Sequence, residues 1–416
     1  MLRILTIWAC GLALSVSVPL TSARASSFEV LYTFIGGNDG GQSVAGLIAD
    51  KDDNLYGTTT SGGGTSCQGT GCGTIFKVAP DGTETILHAF TGGSDGEFPD
   101  GALIADTAGN LYGTTQLGGA GCGGFGTGIV FRLAPDGTET VLHAFVGGCG
   151  GKNNYGDGGW PEAGLIADAA GNLYGTTYYG GENGCLGNPG CGTVFKIAPD
   201  GTETILHTFL GHDGARPEAS LIMDNAGNLY GTTSGGAGRN GCHGCGTIFK
   251  LAPDGTETVL YAFGGGTDGE HPGASLIVDD AGNLYGTSVV GGGGGRGYVF
   301  MLAPDGTKTV LYNFKGGNDG WEPDTGLTAD RAGNLYGTTS AGGGTGCGGG
   351  GCGTVFKLKP SGTEKVLYAF QGGADGRTPT APVALVAGNL YGTTEFAGIQ
   401  SDCEKQGCGT VFALGK

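Results

Sequence analysis

The chain has 416 residues, with 20 Lys and Arg against 38 Asp and Glu, so its formal net charge is −18. This excess of negative charge repels nucleic acids and anionic lipid surfaces, because both are bound mainly through basic residues. Glycine contributes 95 residues and proline only 15. The glycines fall between regularly spaced clusters of Leu, Ile, Val, Tyr and Phe, which indicates an ordered chain with many tight turns rather than a disordered one.

The first 25 residues have the character of a secretory signal. Arg3 precedes the apolar run ILTIWACGLALSVSVPL, and the segment ends with the small-residue pattern ARA at Ala25. This pattern is typical of a cleaved leader, and the run is too interrupted to span a bilayer. The sequence therefore predicts a mature chain, residues 26–416, that is secreted to the extracellular space or the periplasm. We expect it to be a monomer without membrane insertion.

A repeat of about 56 residues accounts for the mature chain. The motif NLYG occurs once per unit, at Asn54, Asn110, Asn172, Asn228, Asn283, Asn334 and Asn389. In the third unit the pattern predicts four short strands, at 164–168, 172–179, 192–199 and 202–209. The turns AAGN and PDG join the first two and the last two strands, since Pro presets φ and Gly accepts a left-handed conformation.

The predicted strands carry apolar residues on both faces, so each small sheet must be covered on both sides. Small sheets packed face to face around an axis form a β-propeller. The segment FEVLYTF (28–34) copies a fourth strand, whereas GTVFALGK (409–416) copies a third, so the N-terminal strand is expected to complete the last blade. The prediction is an all-β, single-domain, seven-bladed β-propeller with four antiparallel strands per blade. Gly175, inside a strand, is expected where neighbouring sheets approach closely.

The long loops of every unit are predicted to share one face of the ring, opposite the AAGN and PDG turns. Variable, long loops are where propellers and other scaffolds usually bind ligands. One loop position varies between units while its surroundings repeat, which favours a recognition surface with aromatic rings for sugars or peptides. The alternative is that exposed positions simply drift. The candidate ligand-binding residues are Phe98, Trp160, Arg216, His271, Trp321 and Glu322.

The same loops contain an Asp-Gly pair in every unit. A turn in which the Asp accepts hydrogen bonds from nearby backbone N–H groups is the simpler interpretation. A ring of carboxylates that faces the axis and binds Ca²⁺ or another hard cation is the alternative. These residues are Asp39, Asp95, Asp157, Asp213, Asp268, Asp319 and Asp375.

Twelve cysteines follow the leader, and an even number in an exported chain favours disulfides. The expected pairs are Cys67 with Cys72, Cys122 with Cys149, Cys185 with Cys191, Cys242 with Cys245, Cys347 with Cys352 and Cys403 with Cys408. A metal site at the CHGC of residues 242–245 is the alternative, although no second pair has zinc-finger spacing.

Support for catalysis is weak. His88, His143 and His207 share a strand position that is Tyr in other units, which favours a packing role. The sequence has no H-E-x-x-H motif. We therefore assign no catalytic residue, and the sequence favours a protein that is not an enzyme.

The unit LIADAAGNLYGTT…GTVFKIAPDGTETILHTF resembles the GloVer (Gloeo/Verruco-type) repeat of bacterial tandem-repeat surface proteins. This resemblance implies a secreted or surface repeat protein. The D-x-x-GNLY core is also similar to NHL and gluconolactonase-type propellers, which implies the fold. We expect an exported binding or surface-interaction module for a carbohydrate, peptide or protein ligand on the long-loop face. The alternative is a metal-dependent hydrolase or lyase that acts on an extracellular carbohydrate or lactone in the axial pocket.

Overall fold

The structure is a computed structural model, and it describes residues 27–119, 126–146, 156–181, 190–237, 244–396, 403 and 407–415. Seven sheets of four antiparallel strands form seven blades around an axis. The predicted seven-bladed β-propeller is therefore confirmed. No helix among the described residues has the length and apolar character needed to cross a membrane. The predicted signal, residues 1–25, lies outside the described residues.

Blades 1 to 6 each contain four consecutive strands of the chain, and blade 7 combines the last three strands with the first. The innermost strands are β2 (Ile48–Ala49), β6 (Ile104–Ala105), β10 (Ile166–Ala167), β14 (Ile222–Met223), β18 (Ile277–Val278), β22 (Thr328–Ala329) and β26 (Ala384–Val386). The second strands are β3 (Leu55–Thr59), β7 (Leu111–Thr115), β11 (Leu173–Thr177), β15 (Leu229–Thr233), β19 (Leu284–Ser288), β23 (Leu335–Thr339) and β27 (Asn389–Thr394).

The third strands are β4 (Thr74–Val78), β8 (Ile129–Leu133), β12 (Thr193–Ile197), β16 (Thr247–Leu251), β20 (Tyr298–Leu302), β24 (Thr354–Leu358) and β28 (Thr410–Gly415). The outermost strands are β5 (Glu84–Ala89), β9 (Glu139–Ala144), β13 (Glu203–Thr208), β17 (Glu257–Ala262), β21 (Lys308–Asn313), β25 (Glu364–Ala369) and β1 (Phe28–Thr33).

The recurring DxxGNLY sequence builds an interlocked turn between the first two strands. In blade 3, Asp168 Oδ1 accepts the backbone N–H groups of Ala170 and Asn172, both at 2.9 Å. Its Oδ2 accepts the Asn172 amide at 2.6 Å and the Tyr174 hydroxyl at 3.0 Å. Burial alone would raise the pKa of Asp168, but these hydrogen bonds outweigh it and hold the pKa below its usual value. The turn needs the Asp, Asn and Tyr side chains together, which explains why the whole motif recurs in the chain.

The hydrophobic core is divided among the junctions between blades. At the junction of blades 2 and 3, Val130 and Phe145 pack against Leu165 and Phe195, and all four are buried. The Phe145 and Phe195 rings meet edge to face, with 5.1 Å between centroids. Equivalent phenylalanine pairs lie at the other six junctions. Both faces of each sheet are therefore covered, as predicted.

The innermost strands are shorter than the sequence indicates. Only Ile166–Ala167 pairs with β11, against a prediction of 164–168. The chain just before Ile166 is hydrogen-bonded to the neighbouring blade instead. Thr114 Oγ1 of blade 2 donates to the Ala163 carbonyl at 3.0 Å. Threonine hydroxyls therefore replace part of the backbone ladder near the axis.

The reason why each second strand contains a glycine differs from the predicted one. A Cβ on Gly175 would lie 2.5 Å from Phe195 Cζ and 2.9 Å from Leu165 Cδ2. Phe195 is the cross-strand partner of Gly175, so both contacts are within blade 3. The expected close approach of a neighbouring sheet is wrong. The ring of the paired strand occupies the space where a side chain would be.

The N-terminal strand closes the ring. Antiparallel pairing joins β1 to β28, from Phe28 opposite Leu414 to Thr33 opposite Thr410. The Phe28 ring stacks on Tyr368 of blade 6 with centroids 3.7 Å apart. The predicted closure is confirmed, and β1 also links blade 7 to its neighbour.

The long loops share one face, as predicted. The two loop types of each blade are hydrogen-bonded to one another, since Gly64 N–H donates to the Gly37 carbonyl at 3.1 Å and Gly119 N–H donates to Gly93 at 2.7 Å. The AGN and PDG turns lie at the opposite face. There the AGN turns of blades 5 and 6 and the PSG turn of blade 6 line a groove of about 570 Å³.

Candidate functional site on the long-loop face

The variable loop position adopts a left-handed backbone conformation in every blade, with φ between 54° and 59°. These seven residues, here called the rim residues, are Gln42, Phe98, Trp160, Arg216, His271, Glu322 and Thr378. A non-glycine residue in this region costs about 1 kcal/mol or more, and glycine would avoid the cost. Because seven different side chains are kept at a strained position, the rim is a candidate recognition surface.

Each rim residue is fixed by hydrogen bonds to two blades. Trp160 N–H donates to the Thr127 carbonyl of blade 2 at 2.9 Å, and its own carbonyl accepts the Tyr178 N–H at 3.0 Å. In five blades the acceptor from the preceding blade is the carbonyl of the second cysteine of a loop pair, namely Cys72, Cys191, Cys245, Cys352 or Cys408. The cysteine loops therefore position the rim.

Disulfides hold these cysteines. The structure confirms the predicted bonds Cys67–Cys72, Cys347–Cys352 and Cys403–Cys408. Cys191 and Cys245 are also disulfide-bonded. The sulfur of Cys245 is therefore not a thiolate, which argues against a metal site at 242–245. The other four cysteines of the predicted pairs, Cys122, Cys149, Cys185 and Cys242, lie outside the described residues.

An aromatic patch, defined here as Trp160, Tyr178 and Tyr179, lies on the rim at blade 3. The Trp160 ring is 6.5 Å from Tyr178 with 30° between planes and meets Tyr179 edge to face at 5.0 Å. Arg216 of blade 4 lies over the Tyr178 ring at 5.7 Å. All four side chains are partly exposed. The patch presents ring surface and a cation to the solvent on the loop face.

Five carboxylates beside the rim were not predicted from the sequence. Four lie two residues after a rim residue and directly follow a proline, and the fifth follows the second strand of blade 7. These residues, here called the axial carboxylates, are Asp100, Glu162, Glu218, Asp324 and Glu395. The recurrence of Pro-Asp or Pro-Glu in four units was the available signal. This signal did not indicate a site, because the sequence pattern places these residues at the start of the inner strand.

The axial carboxylates converge from blades that are not adjacent. The charges of Glu162 in blade 3 and Glu395 in blade 7 both act on Asp100 in blade 2. Side chains of such distant blades approach one another near the axis, so the group lies close to the axis of the ring. Gln116 donates to Glu162 at 2.7 Å, and a Cβ on Gly273 of blade 5 would lie 2.7 Å from Glu218 Oε1.

Burial and mutual repulsion keep several of these carboxyl groups protonated to higher pH than usual. Burial raises the pKa of Asp100 to about 7, with contributions from Glu162 and Glu395. Burial likewise raises the pKa of Glu218 and of Asp324 to about 7. Groups with a pKa near neutral can donate a proton or bind a cation at physiological pH.

The other predicted binding residues are spread around the face. Phe98 and Gln42 border a cavity of about 630 Å³ above blade 1. Trp321 Nε1 donates to the Gly350 carbonyl at 3.2 Å, and Arg296 lies over its ring at 5.6 Å. Glu322 contributes to the raised pKa of Asp324, and His271 is exposed.

The seven Asp-Gly carboxylates lie beside the outermost strands rather than at the axis. Asp39 accepts the Tyr32 hydroxyl at 2.6 Å and the Ile35 N–H at 2.6 Å, and the other blades repeat this with a Tyr or His from the outer strand. The turn interpretation accounts for these hydrogen bonds. A ring of Ca²⁺ ions at these residues stays a prediction.

The sequence of the repeat identifies the family of this chain. The sequence profile of the Gloeobacter/Verrucomicrobia repeat matches residues 19–188, 151–277 and 186–412. The chain belongs to the Gloeobacter/Verrucomicrobia repeat family. A search of curated proteins finds no match to this repeat protein.

Solved structures share its fold at low sequence identity. Virginiamycin B lyase from Staphylococcus aureus aligns with a TM-score of 0.59 and 12% identity, over 94% of this chain and 100% of that chain. The extracellular domain of a protein described as a hybrid two component system, from B. thetaiotaomicron, aligns with a TM-score of 0.54 and 12% identity, over 94% of this chain and 41% of that chain. A gluconolactonase from Xanthomonas campestris also matches, at a TM-score of 0.44 and 14% identity, over 94% and 90% of the two chains. At these identities the likeness shows the fold alone.

The raised pKa values predict that this Gloeobacter/Verrucomicrobia repeat protein loses stability as the pH rises from about 5 to about 8. In that range the folded protein keeps protons on Asp100, Glu218 and Asp324 that the unfolded chain has released, so folding is linked to proton uptake. In EDTA we expect a Tm about 4 °C lower at the alkaline end. Circular dichroism melts measure this, and Asp100→Asn should flatten the profile. A Tm that climbs steadily with pH would contradict the assignment.

Proposed function

We propose that this chain is a carbohydrate-binding propeller whose ligand lies on the aromatic patch beside Glu162 and Glu218. The observation that supports this most strongly is the joint presence of aromatic rings and carboxylates on the long-loop face near the axis. The charges of Glu162 and Glu218 both act on Tyr178, so these groups are close neighbours. Aromatic faces stack on the apolar faces of sugar rings, and carboxylates accept hydrogen bonds from hydroxyl groups.

The surrounding residues supply further sugar-binding chemistry. Gln116 contributes an amide beside Glu162, and the Arg216 guanidinium offers N–H donors above Tyr178. The rim backbone is fixed by hydrogen bonds and disulfides before any ligand arrives, which reduces the entropy lost on binding. A small, preorganised site of mixed ring and polar groups suits a glycan.

A protein ligand is less well supported. The large exposed hydrophobic residues of the described chain are spaced around the ring rather than gathered into one patch. On the long-loop face they include Ile35, Val146 and Leu210, which come from three different blades. Protein interfaces are usually centred on a contiguous, well-packed apolar core.

A glycan array followed by titration calorimetry tests this proposal on the mature chain. Trp160→Ala and Tyr178→Ala are each expected to weaken the affinity for an identified glycan about tenfold or more, because each removes a stacking surface. Glu162→Gln should weaken it less. Trp321→Ala is the matched control, since it removes an aromatic residue of the same face outside the patch. Undiminished affinity in Trp160→Ala would contradict the proposed site.

Cleavage of the bound carbohydrate, or of a lactone, is a second candidate function. It is favoured by the axial carboxylates, because Asp100 and Asp324 have pKa values near 7. Their repeat position carries an acid in only four blades and is Val44, Gly273 or Thr380 in the other three. Such an asymmetric group could serve as an acid and base pair or hold a divalent cation for a hydrolase or lyase. Mass spectrometry of the bound glycan after incubation distinguishes binding alone from turnover. Any product should disappear in Asp100→Asn.

A further inference from the structure

Two junctions between blades bring a histidine, an aspartate and a glutamate together, away from the axial site. The groups are His143, Asp157 and Glu203, between blades 2 and 3, and His207, Asp213 and Glu257, between blades 3 and 4. Within each group one ligand atom of every residue lies within 4.8 Å of the others. Among the described residues, no other group of His, Asp and Glu meets this limit.

The geometry of the first group fits a small tetrahedral cation. His143 Nε2 lies 3.1 Å from Asp157 Oδ2 and 3.8 Å from Glu203 Oε2. Two ligands of a tetrahedral zinc ion are about 3.4 Å apart, given metal–ligand distances of about 2.1 Å. The observed separations bracket this value. In the second group His207 Nε2 lies 3.1 Å from Asp213 Oδ2.

The glutamates are incompletely paired. Oε1 of Glu203 and Oε1 of Glu257 are both buried without a hydrogen-bond partner among the described residues, as is Oε1 of the equivalent Glu84, Glu139 and Glu364; only Glu203 and Glu257 also lie within 4.8 Å of a histidine and an aspartate. The Glu203 side chain is only 12% exposed, and the Asp213 side chain only 9%. Two carboxylates placed against one imidazole in such surroundings carry a large desolvation and repulsion penalty unless a positive charge lies between them.

The junction between blades 4 and 5 contains such a charge within the chain. Lys308 occupies the strand position of Glu203 and Glu257, and its side chain is 8% exposed. Its ammonium lies 2.7 Å from Asp268 Oδ1 and 2.9 Å from the Tyr298 hydroxyl. Tyr261, which faces Lys308, occupies the position of His143 and His207. The junction that contains a lysine ammonium therefore has no imidazole to bind a metal.

We propose that the His143–Asp157–Glu203 and His207–Asp213–Glu257 groups each bind one zinc-class divalent cation that bridges adjacent blades. Imidazole with carboxylates favours zinc and related transition metals over Ca²⁺, which prefers six or more oxygen ligands. Three protein ligands leave a fourth position for water. The inference does not depend on what the rim binds.

Metal stoichiometry on the mature, oxidised chain tests the proposal. After EDTA treatment and zinc loading, calorimetry and elemental analysis should give two tightly bound equivalents and a raised Tm. His143→Gln and His207→Gln should each remove one equivalent. His88→Gln is the matched control, because Glu139 occupies the equivalent position at its junction but does not join His88 and Asp95 within 4.8 Å, and it should keep both equivalents. Binding of no zinc, or of zinc that persists at two equivalents in His143→Gln and His207→Gln, would overturn the proposal.

A second variant guards against misfolding. Glu203→Lys copies the Lys308 arrangement and should abolish zinc binding at that junction while the zinc-free Tm stays unchanged. Cobalt substitution adds a spectroscopic check, since tetrahedral Co²⁺ absorbs visibly and its intensity should halve in Glu203→Lys. Full cobalt absorption in this variant would contradict the assigned ligand.

Discussion

Removal of residues 27–34 is expected to abolish cooperative folding of the ring. The deletion takes away β1, the whole outermost strand of blade 7, and exposes the edge of β28. It also removes Phe34, which is fully buried against Phe76 of blade 1, and the Phe28 ring stacked on Tyr368. Loss of one buried phenylalanine alone costs about 3–5 kcal/mol. Far-UV circular dichroism during heating should show a broad transition or one lowered by more than about 15 °C.

A circular permutant separates loss of the strand from loss of chain order. Leu414 and Phe28 are paired neighbours, as are Val78 and Glu84 in blade 1, where the turn APDGT joins them. The same five residues placed between Leu414 and Phe28, with new termini between Gly64 and Thr65, should keep the native Tm or raise it. A deletion variant that melts like the full chain would show that β1 does not hold the ring closed.

Gly175→Ala is expected to destabilise the protein by about 3 kcal/mol, through overpacking. The added methyl group would lie 2.5 Å from Phe195 Cζ, and that ring cannot move freely because it packs on Phe145. Chemical unfolding monitored by circular dichroism measures the change in the free energy of unfolding.

Two further variants sharpen the glycine prediction. Gly293→Ala is the matched control, because a methyl group added there would meet no atom of a non-adjacent residue within 4 Å, and it should change stability by less than about 1 kcal/mol. Phe195→Leu in the Gly175→Ala background should recover part of the loss, since it reduces the crowding. Equal stability of Gly175→Ala and Gly293→Ala would refute the role assigned to the phenylalanine ring.

The sequence predicted the architecture well because the repeat makes each local signal appear seven times. Asp168, Asn172 and Tyr174 form one turn network, and a pattern that needs three side chains at once is hard to mistake. The closure was predictable for a similar reason, since residues 28–34 match an outer strand that blade 7 otherwise lacks. The common face of the long loops then followed from strand order alone.

Details that depend on packing between strands were not predictable. The reason for Gly175 lies in the orientation of a ring on the paired strand, which a sequence pattern does not specify. Each outer strand also contains a bulge, at Leu206 in blade 3, which interrupts the simple alternation expected for it. Bulges arise from the pairing of two strands rather than from the composition of one.

The candidate site was predicted only in part. The variable position was found, but its left-handed conformation was not, since a residue before proline usually favours an extended conformation. Hydrogen bonds from two blades override that preference at Trp160. Glu162 and Glu218 were missed because each follows a proline and resembles the start of an inner strand, and because their convergence at the axis joins residues that are about 56 positions apart in the chain.

The fluorescence of Trp160 provides the most direct test of the central claim that the rim is a carbohydrate-binding site. Trp160 and Trp321 are the two tryptophans of residues 26–416, so a protein of these residues with Trp321→Phe keeps Trp160 as the sole indole. Titration with a glycan found on the array should give a saturable change in emission with the affinity that calorimetry measures. Glycan binding that leaves the emission of Trp160 unchanged would contradict the proposed site.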